Sequence, residues 1–125
     1  LLSRKIHVKI LLFVGYPTET IQDFEETKDL LTKYHKHAKH LSVSIDIMRI
    51  EHDTPIETDY AHLYQGDGQN WHNDISNYET RLERYLELFD HAKNMGYNFP
   101  FHAENKRQRF VEYLENTQTV ITGVI

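Results

Sequence analysis

Residues 10–24 read ILLFVGYPTETIQDF and carry the clearest structural signal in the chain. An apolar segment runs into Gly15, turns at Pro17 and passes within five residues into the pattern of a helix. A buried strand followed so closely by a helix is typical of the carboxyl edge of a parallel sheet, where α/β proteins bind ligands. The stretch therefore predicts a strand-to-helix corner at such an edge.

The neighbouring segments extend this corner into a β-α-β unit over residues 5–50. Residues 5–15 carry apolar side chains on both strand faces, which predicts a strand of a parallel sheet covered on each side. Thr20 and Asp23 form a capping box at the start of a helix that we expect to end near His37. A crossover of this length favours right-handed parallel pairing with the next strand.

Residues 41–50 are the second predicted strand, because two sets of side chains alternate strictly along them. One face carries the apolar residues Leu41, Val43, Ile45 and Ile47, and Ser42 begins the opposite face. The apolar face should pack on the helices. The opposite face carries Ser44, Asp46 and Met48, and we expect it to point into a barrel lumen or a cleft.

The second half of the chain is predicted to be mostly helical. Residues 51–75 show no periodicity, and so long a loop in a compact domain is either functional or disordered. Ser76 with Glu79 predicts a capped helix to about Met95, closed by Gly96. A short edge strand (98–102), an amphipathic helix (104–116) and a strand-like tail (119–125) complete the prediction.

The predicted fold class is thus α/β. Residues 1–125 form one domain or part of one, a partial (β/α) barrel fragment of order β-α-β-α with a C-terminal helix. The chain begins inside a predicted strand with no initiator Met, so we expect a piece of a longer protein.

Composition excludes several classes of function. A net charge of −5, with Lys and Arg scattered, argues against a nucleic-acid-binding surface. The chain has no cysteine, which excludes disulfides, a thiolate zinc site and a cysteine nucleophile, and favours a cytoplasmic location. The first fifteen residues are too charged for a signal peptide or a membrane span. His37 and His40 lie one turn apart, but neighbouring lysines would repel a cation, so we expect no metal site.

Residues 14–24, V-G-Y-P-x-E-T-x-x-D-F, resemble the late barrel strand of radical S-adenosylmethionine (radical SAM) enzymes, especially the subgroup with a cobalamin-binding domain. The resemblance covers about residues 5–97 and implies the C-terminal portion of such a barrel. The parent would cleave S-adenosylmethionine reductively to a 5′-deoxyadenosyl radical. Its [4Fe-4S] cluster would be held by three cysteines outside this chain, so the chain alone would be inactive. The use of cobalamin is left open.

The resemblance also implies cofactor-binding residues. Gly15 matches the second glycine of a loose G-x-I-x-G-x-x-E pattern, and Phe13 its adenine-contacting position. Leu11 replaces the first glycine, and Glu19 lies one residue beyond the expected acid. The second predicted strand, residues 41–50, matches the last barrel strand of the family. The full set is Phe13, Gly15, Tyr16, Pro17, Glu19, Asp46, Met48 and Arg49, with no catalytic residue or metal ligand assigned.

Other interpretations stay open. From spacing alone, the Gly15 corner is more often a tight turn without a ligand. Arg81 and Arg84 match a helix of the cobalamin-type members, where they could meet a carboxylate, but we expect them to be solvated.

The alternative function is a non-catalytic α/β binding or assembly module that forms homo-oligomers through an exposed sheet edge. In the enzyme hypothesis the partner is instead the rest of the parent barrel. A small nucleotide-binding domain ranks last, because no G-x-G-x-x-G or G-K-[ST] motif is present.

Overall fold

The computed structural model describes the backbone of residues 8–124 and the side chains of residues 8–117. The elements follow in the order β1 (Val8–Val14), α1 (Ile21–Lys33), β2 (Leu41–Ile47), α2 (Pro55–Asp59), α3 (Tyr78–Asn94) and α4 (Ala103–Val124), with 3-10 helices at His35–His40 and Ala61–Leu63. The described part is therefore mixed α/β, with two strands and four α-helices. None of these helices has the length and apolar character needed to cross a membrane.

The two strands pair in parallel, as the sequence predicts, in a register from Val8 opposite Leu41 to Val14 opposite Ile47. Residues 5–7 of the first predicted strand lie outside the described part. The capping box of α1 is confirmed, because the Thr20 hydroxyl accepts from the Asp23 amide (3.1 Å) and the Asp23 carboxylate accepts from the Thr20 amide (3.0 Å). Helix α1 ends at Lys33 and does not reach the predicted end near His37, because His35–His40 form a 3-10 helix.

The core lies between one face of the sheet and helices α1 and α3. Its buried residues are Val14, Phe24, Leu31, Ala38, Leu41, Val43, Ile45, Tyr85, Leu88, Phe89, Ala92, Tyr97 and Ala103. Leu11 and Phe13 point to the opposite face and are 65% and 49% exposed. The expectation that β1 is covered on both sides is therefore wrong for the described residues, because helices pack on only one side. We call the exposed side (Leu11, Phe13, Ser44 and Asp46) the open face.

The outer edge of β2, on the side away from β1, is occupied by two other segments. The Val43 amide donates to the Asn98 carbonyl (2.7 Å), and the Asn98 amide donates to the Leu41 carbonyl (3.1 Å). Lys106 of α4 donates to the Ile45 carbonyl (3.1 Å). The predicted edge strand 98–102 is thus reduced to one bridge at Asn98, because Pro100 has no amide hydrogen and α4 begins soon afterwards.

Residues 51–75 are folded around the only tryptophan of the chain. Trp71 is fully buried, and its indole N–H donates to the Met48 carbonyl (2.9 Å). It packs with Met48 and Ile50 in a second, smaller core. The missing periodicity reflects a segment organised by one large side chain, with only short helices and isolated bridges.

The last two helices differ from prediction at their ends. Asn77, not Ser76, caps α3, because its side chain accepts from the Thr80 amide (2.8 Å). Gly96, with φ +92°, follows the end of α3 as predicted. α4 continues to Val124, so the strand-like tail is wrong for residues 119–124, and residue 125 lies outside the described part. A helix satisfies its own backbone groups, whereas β-branched residues form a strand only beside a partner.

Candidate functional site

The corner after β1 is closed by its own backbone and by Glu19. Gly15 adopts φ +93°, a conformation that favours glycine, and its amide donates to the Glu19 carboxylate (3.1 Å). The Glu19 amide donates to the Tyr16 carbonyl (2.8 Å), while the Met48 amide donates to the Val14 carbonyl (2.8 Å). The turn is therefore tied both to itself and to the segment that follows β2.

Arg81 of α3 packs directly against Gly15. A Cβ atom at position 15 would lie 2.2 Å from Cδ and 2.6 Å from Cγ of Arg81, far inside van der Waals contact. The space left by the missing side chain is thus filled by the arginine stem. The glycine is required by this packing and by its backbone conformation, whether or not a ligand approaches it.

The Arg81 side chain is 0% exposed and contacts no carboxylate among the described residues. Its guanidinium carbon lies 3.8 Å from the centroid of the Trp71 ring. It donates to the Ser76 hydroxyl (3.0 Å) and to the carbonyls of Trp71 (2.7 Å) and Gln69 (2.9 Å). Burial lowers the pKa of Arg81 to about 10, so the group stays charged at neutral pH. It joins the corner, the Trp71 segment and α3.

Arg84, one helical turn further along α3, meets Glu19. Its guanidinium donates to the Glu19 carboxylate at 3.1 Å, and both side chains are largely buried. Burial raises the pKa of Glu19, while the Gly15 amide and Arg84 oppose that shift. The Glu19 carboxylate therefore has two partners within the chain, the Gly15 amide and the Arg84 guanidinium.

The expectation that these arginines are solvated is wrong. Arg81 and Arg84 share the apolar stripe of α3 with Tyr85, Leu88 and Ala92, at the i, i+3, i+4, i+7 spacing of a buried face. That spacing is the sequence signal that could have identified them.

The predicted residues of the corner separate into two groups. Phe13 and Tyr16 are about half exposed and accessible. Gly15 and Pro17 are buried, and the Pro17 carbonyl accepts from the Asn73 side chain (2.8 Å). Together with Glu19, they make internal contacts that hold the turn.

The residues in β2 and just after it that are predicted to bind the cofactor also differ in their surroundings. Asp46 lies opposite Phe13 in the strand register and accepts from Lys106, so these two predicted residues are neighbours on the open face. Met48 is buried in the smaller core. Arg49 is exposed and donates to Glu51 (2.8 Å).

A cleft of about 440 Å³ opens at the carboxyl end of β2, between that strand, the start of α3 and α4. Two predicted residues, Asp46 and Arg49, line it. Sequence reasoning missed its other charged and aromatic residues, which are Tyr78, Lys106, Arg109, Phe110 and Tyr113. Four of these follow the i, i+3, i+4, i+7 spacing along α4, a pattern that marks one helix face.

Comparison with known proteins gives no relative for this chain, since no family model, curated protein or solved structure matches it. Within residues 8–117, no group of three or more His, Asp or Glu side chains could hold a metal ion.

The residues of this chain match only some of the cofactors that the sequence resemblance implies. With no cysteine, the chain supplies no thiolate for an iron–sulfur cluster. Phe13 and Asp46 offer an accessible ring beside a carboxylate, which fits one wall around an adenosyl group. We find no comparable feature that selects for cobalamin in the described part.

Proposed function

We propose that this chain is the C-terminal part of a radical SAM barrel, in which the open face forms part of the inner wall. One observation carries this proposal. Helices pack on a single face of a parallel strand pair, while Phe13 and Asp46 lie side by side on the opposite, accessible face. In a (β/α) barrel the helices lie outside, and ligands bind at the carboxyl ends of the strands.

The accessible residues suit an adenosyl group. The Phe13 ring provides a surface on which adenine can stack, and the Asp46 carboxylate provides acceptors for hydroxyl or amino groups. Bound S-adenosylmethionine supplies a 5′-deoxyadenosyl radical after reductive cleavage, using a cluster held elsewhere in the parent. The residues of this chain bind and orient the cofactor.

The proposal assigns Gly15, Glu19, Arg81 and Arg84 a positioning role. Their contacts hold the corner next to Phe13 through packing, an ion pair and hydrogen bonds. A substitution at Gly15 would therefore disturb the folding of the corner, so a loss of cofactor binding in such a variant would not identify a cofactor contact. The preceding barrel strand would join at β1, which pairs with no strand other than β2 within residues 8–124.

The test uses the full-length parent, reconstituted without oxygen with iron and sulfide. Equilibrium binding of S-adenosylmethionine is measured for wild type, Phe13→Ala and the control Phe101→Ala, whose ring is 97% exposed. We expect Phe13→Ala to weaken binding about tenfold, as loss of one base–aromatic stack predicts. The control should bind as wild type does.

Two results would overturn the proposal. One is equal binding by wild type and Phe13→Ala. The other is an upstream coding sequence without a C-x-x-x-C-x-x-C motif, because the cluster would then have no ligands.

A further inference from the structure

The cleft at the carboxyl end of β2 shares Asp46 with the open face but is not lined by Phe13. Lys106, which lines it, also donates to the Ile45 carbonyl on the outer edge of β2. Tyr78 and α4 form the other side. A ligand here would contact the end of the strand and two helices, and its binding does not depend on the radical SAM proposal.

Cationic side chains outnumber carboxylates in the lining of this cleft. Arg49, Lys106 and Arg109 line it, against the single carboxylate of Asp46, in a chain whose net charge is −5. Lys106 is paired with Asp46, and Arg49 with Glu51. Among the side chains that the structure describes, Arg109 has no ion-pair partner. Its guanidinium is thus available for an anion.

Aromatic side chains form the apolar part of the same cleft. Tyr78 and Tyr113 meet edge to face, with ring centroids 5.3 Å apart, and Phe110 lies one turn before Tyr113. The Tyr78 hydroxyl, like that of an ordinary tyrosine, is protonated at neutral pH and can donate, and burial raises its pKa further. A planar ring could pack on this surface while an attached anion reaches Arg109.

We propose that this cleft binds a small organic anion in which a planar ring is attached to a phosphate or carboxylate group. Arg109 binds the anionic group, and Tyr113 contacts the ring. The volume of about 440 Å³ lies within the range of small-molecule sites.

The test is calorimetric titration of the chain with two matched pairs of probes. Adenosine 5′-monophosphate is compared with adenosine, and indole-3-acetate with indole-3-acetamide, so that the pairs distinguish phosphate from carboxylate. We expect at least one anion to bind with Kd below about 1 mM and about tenfold tighter than its neutral counterpart.

Variants assign the binding to this cleft. Arg109→Gln should weaken binding of the anion about tenfold, and Tyr113→Leu should weaken the anion and its neutral counterpart alike. Lys33→Gln removes an exposed charge of α1 that does not line the cleft, and should leave binding unchanged. The proposal is overturned if neither anion binds tighter than its neutral counterpart, or if Arg109→Gln and Lys33→Gln behave alike.

Discussion

The stem of Arg81 occupies the space in which a side chain at position 15 would lie, since a Cβ atom on Gly15 would come within 2.2 Å of its Cδ. The corner after β1 and the helix α3, far apart in the chain, are therefore shaped against each other. The buried Arg81 side chain therefore packs against Gly15, the glycine of the V-G-Y-P motif.

Replacing Gly15 with Ala should destabilise the protein by roughly 3 kcal/mol, because the new methyl group overlaps Arg81 and the backbone has positive φ. Gly68→Ala is the control, since φ there is +57° but the nearest atom to a new Cβ lies 4.0 Å away. Its cost should be roughly 1 kcal/mol. Urea denaturation measures both, and equal losses would contradict the steric explanation.

Arg81→Met should cost roughly 2–4 kcal/mol, because it leaves the Ser76 hydroxyl, the buried Trp71 carbonyl and the partly buried Gln69 carbonyl without their donor. The emission of Trp71 should also shift, since the guanidinium stacks on its ring. Arg107→Met removes a partly exposed ion pair with Asp90, and should change stability by less than about 1 kcal/mol. A similar loss in both variants would show that burial of Arg81 contributes little.

The Glu19–Arg84 pair should give a pH-dependent contribution to stability. Burial raises the pKa of Glu19 above 4.5, so the folded state binds more protons than the unfolded state just above that pH. The contribution of Glu19 therefore falls as the pH rises from 4.5 through the raised pKa. The unfolding free energy of wild type minus that of Glu19→Gln should therefore decrease as the pH rises over this range. An increase with pH would mean that the Arg84 charge outweighs burial.

His52 should make the segment around α2 sensitive to pH. Its ring nitrogens contact Glu57 (2.8 Å) and Asp67 (3.4 Å). The hydrogen bond with Glu57 raises the pKa of His52, while the Asp53 amide and then His52 lower the pKa of Glu57.

The stabilising effect of His52 is complete below pH 6.5 and is lost as the pH rises through its raised pKa. The effect of Glu57 is present above pH 4.5 and is lost as the pH falls through its lowered pKa. Amide exchange in residues 52–67, corrected for intrinsic rates, should be slowest between pH 4.5 and pH 6.5, where both effects are present. His52→Asn should abolish the dependence near neutral pH, and His62→Asn should not. Retention of the dependence in His52→Asn would assign it to another group.

The β-α-β unit could be predicted because its signals are local. Alternation along residues 41–50 and the Thr20–Asp23 box each depend on near neighbours, and both predictions are confirmed in outline. The predicted strand is wrong for residues 119–124, because β-branched residues favour a strand only when another strand is available for pairing.

The candidate site could be predicted only in part, because its chemistry depends on long-range contacts. Nothing near Gly15 in the sequence indicates that its neighbour is Arg81, and nothing near Asp46 indicates Lys106. The rarity of buried arginine predicts Arg84 in solvent, whereas its position on an apolar stripe indicates burial. Phe13 and Asp46 are adjacent in the register, and their role in binding the cofactor remains a prediction from the sequence.

The occupied outer edge of β2 limits how copies of this chain could associate. A fibre of added strands needs two free edges on each molecule, so that every addition exposes another acceptor. Here Asn98 and Lys106 already use the backbone groups of Leu41, Val43 and Ile45 that a new strand would need. Pairing through β1 would therefore stop after one partner and produce a closed, two-fold dimer instead of an endless polymer.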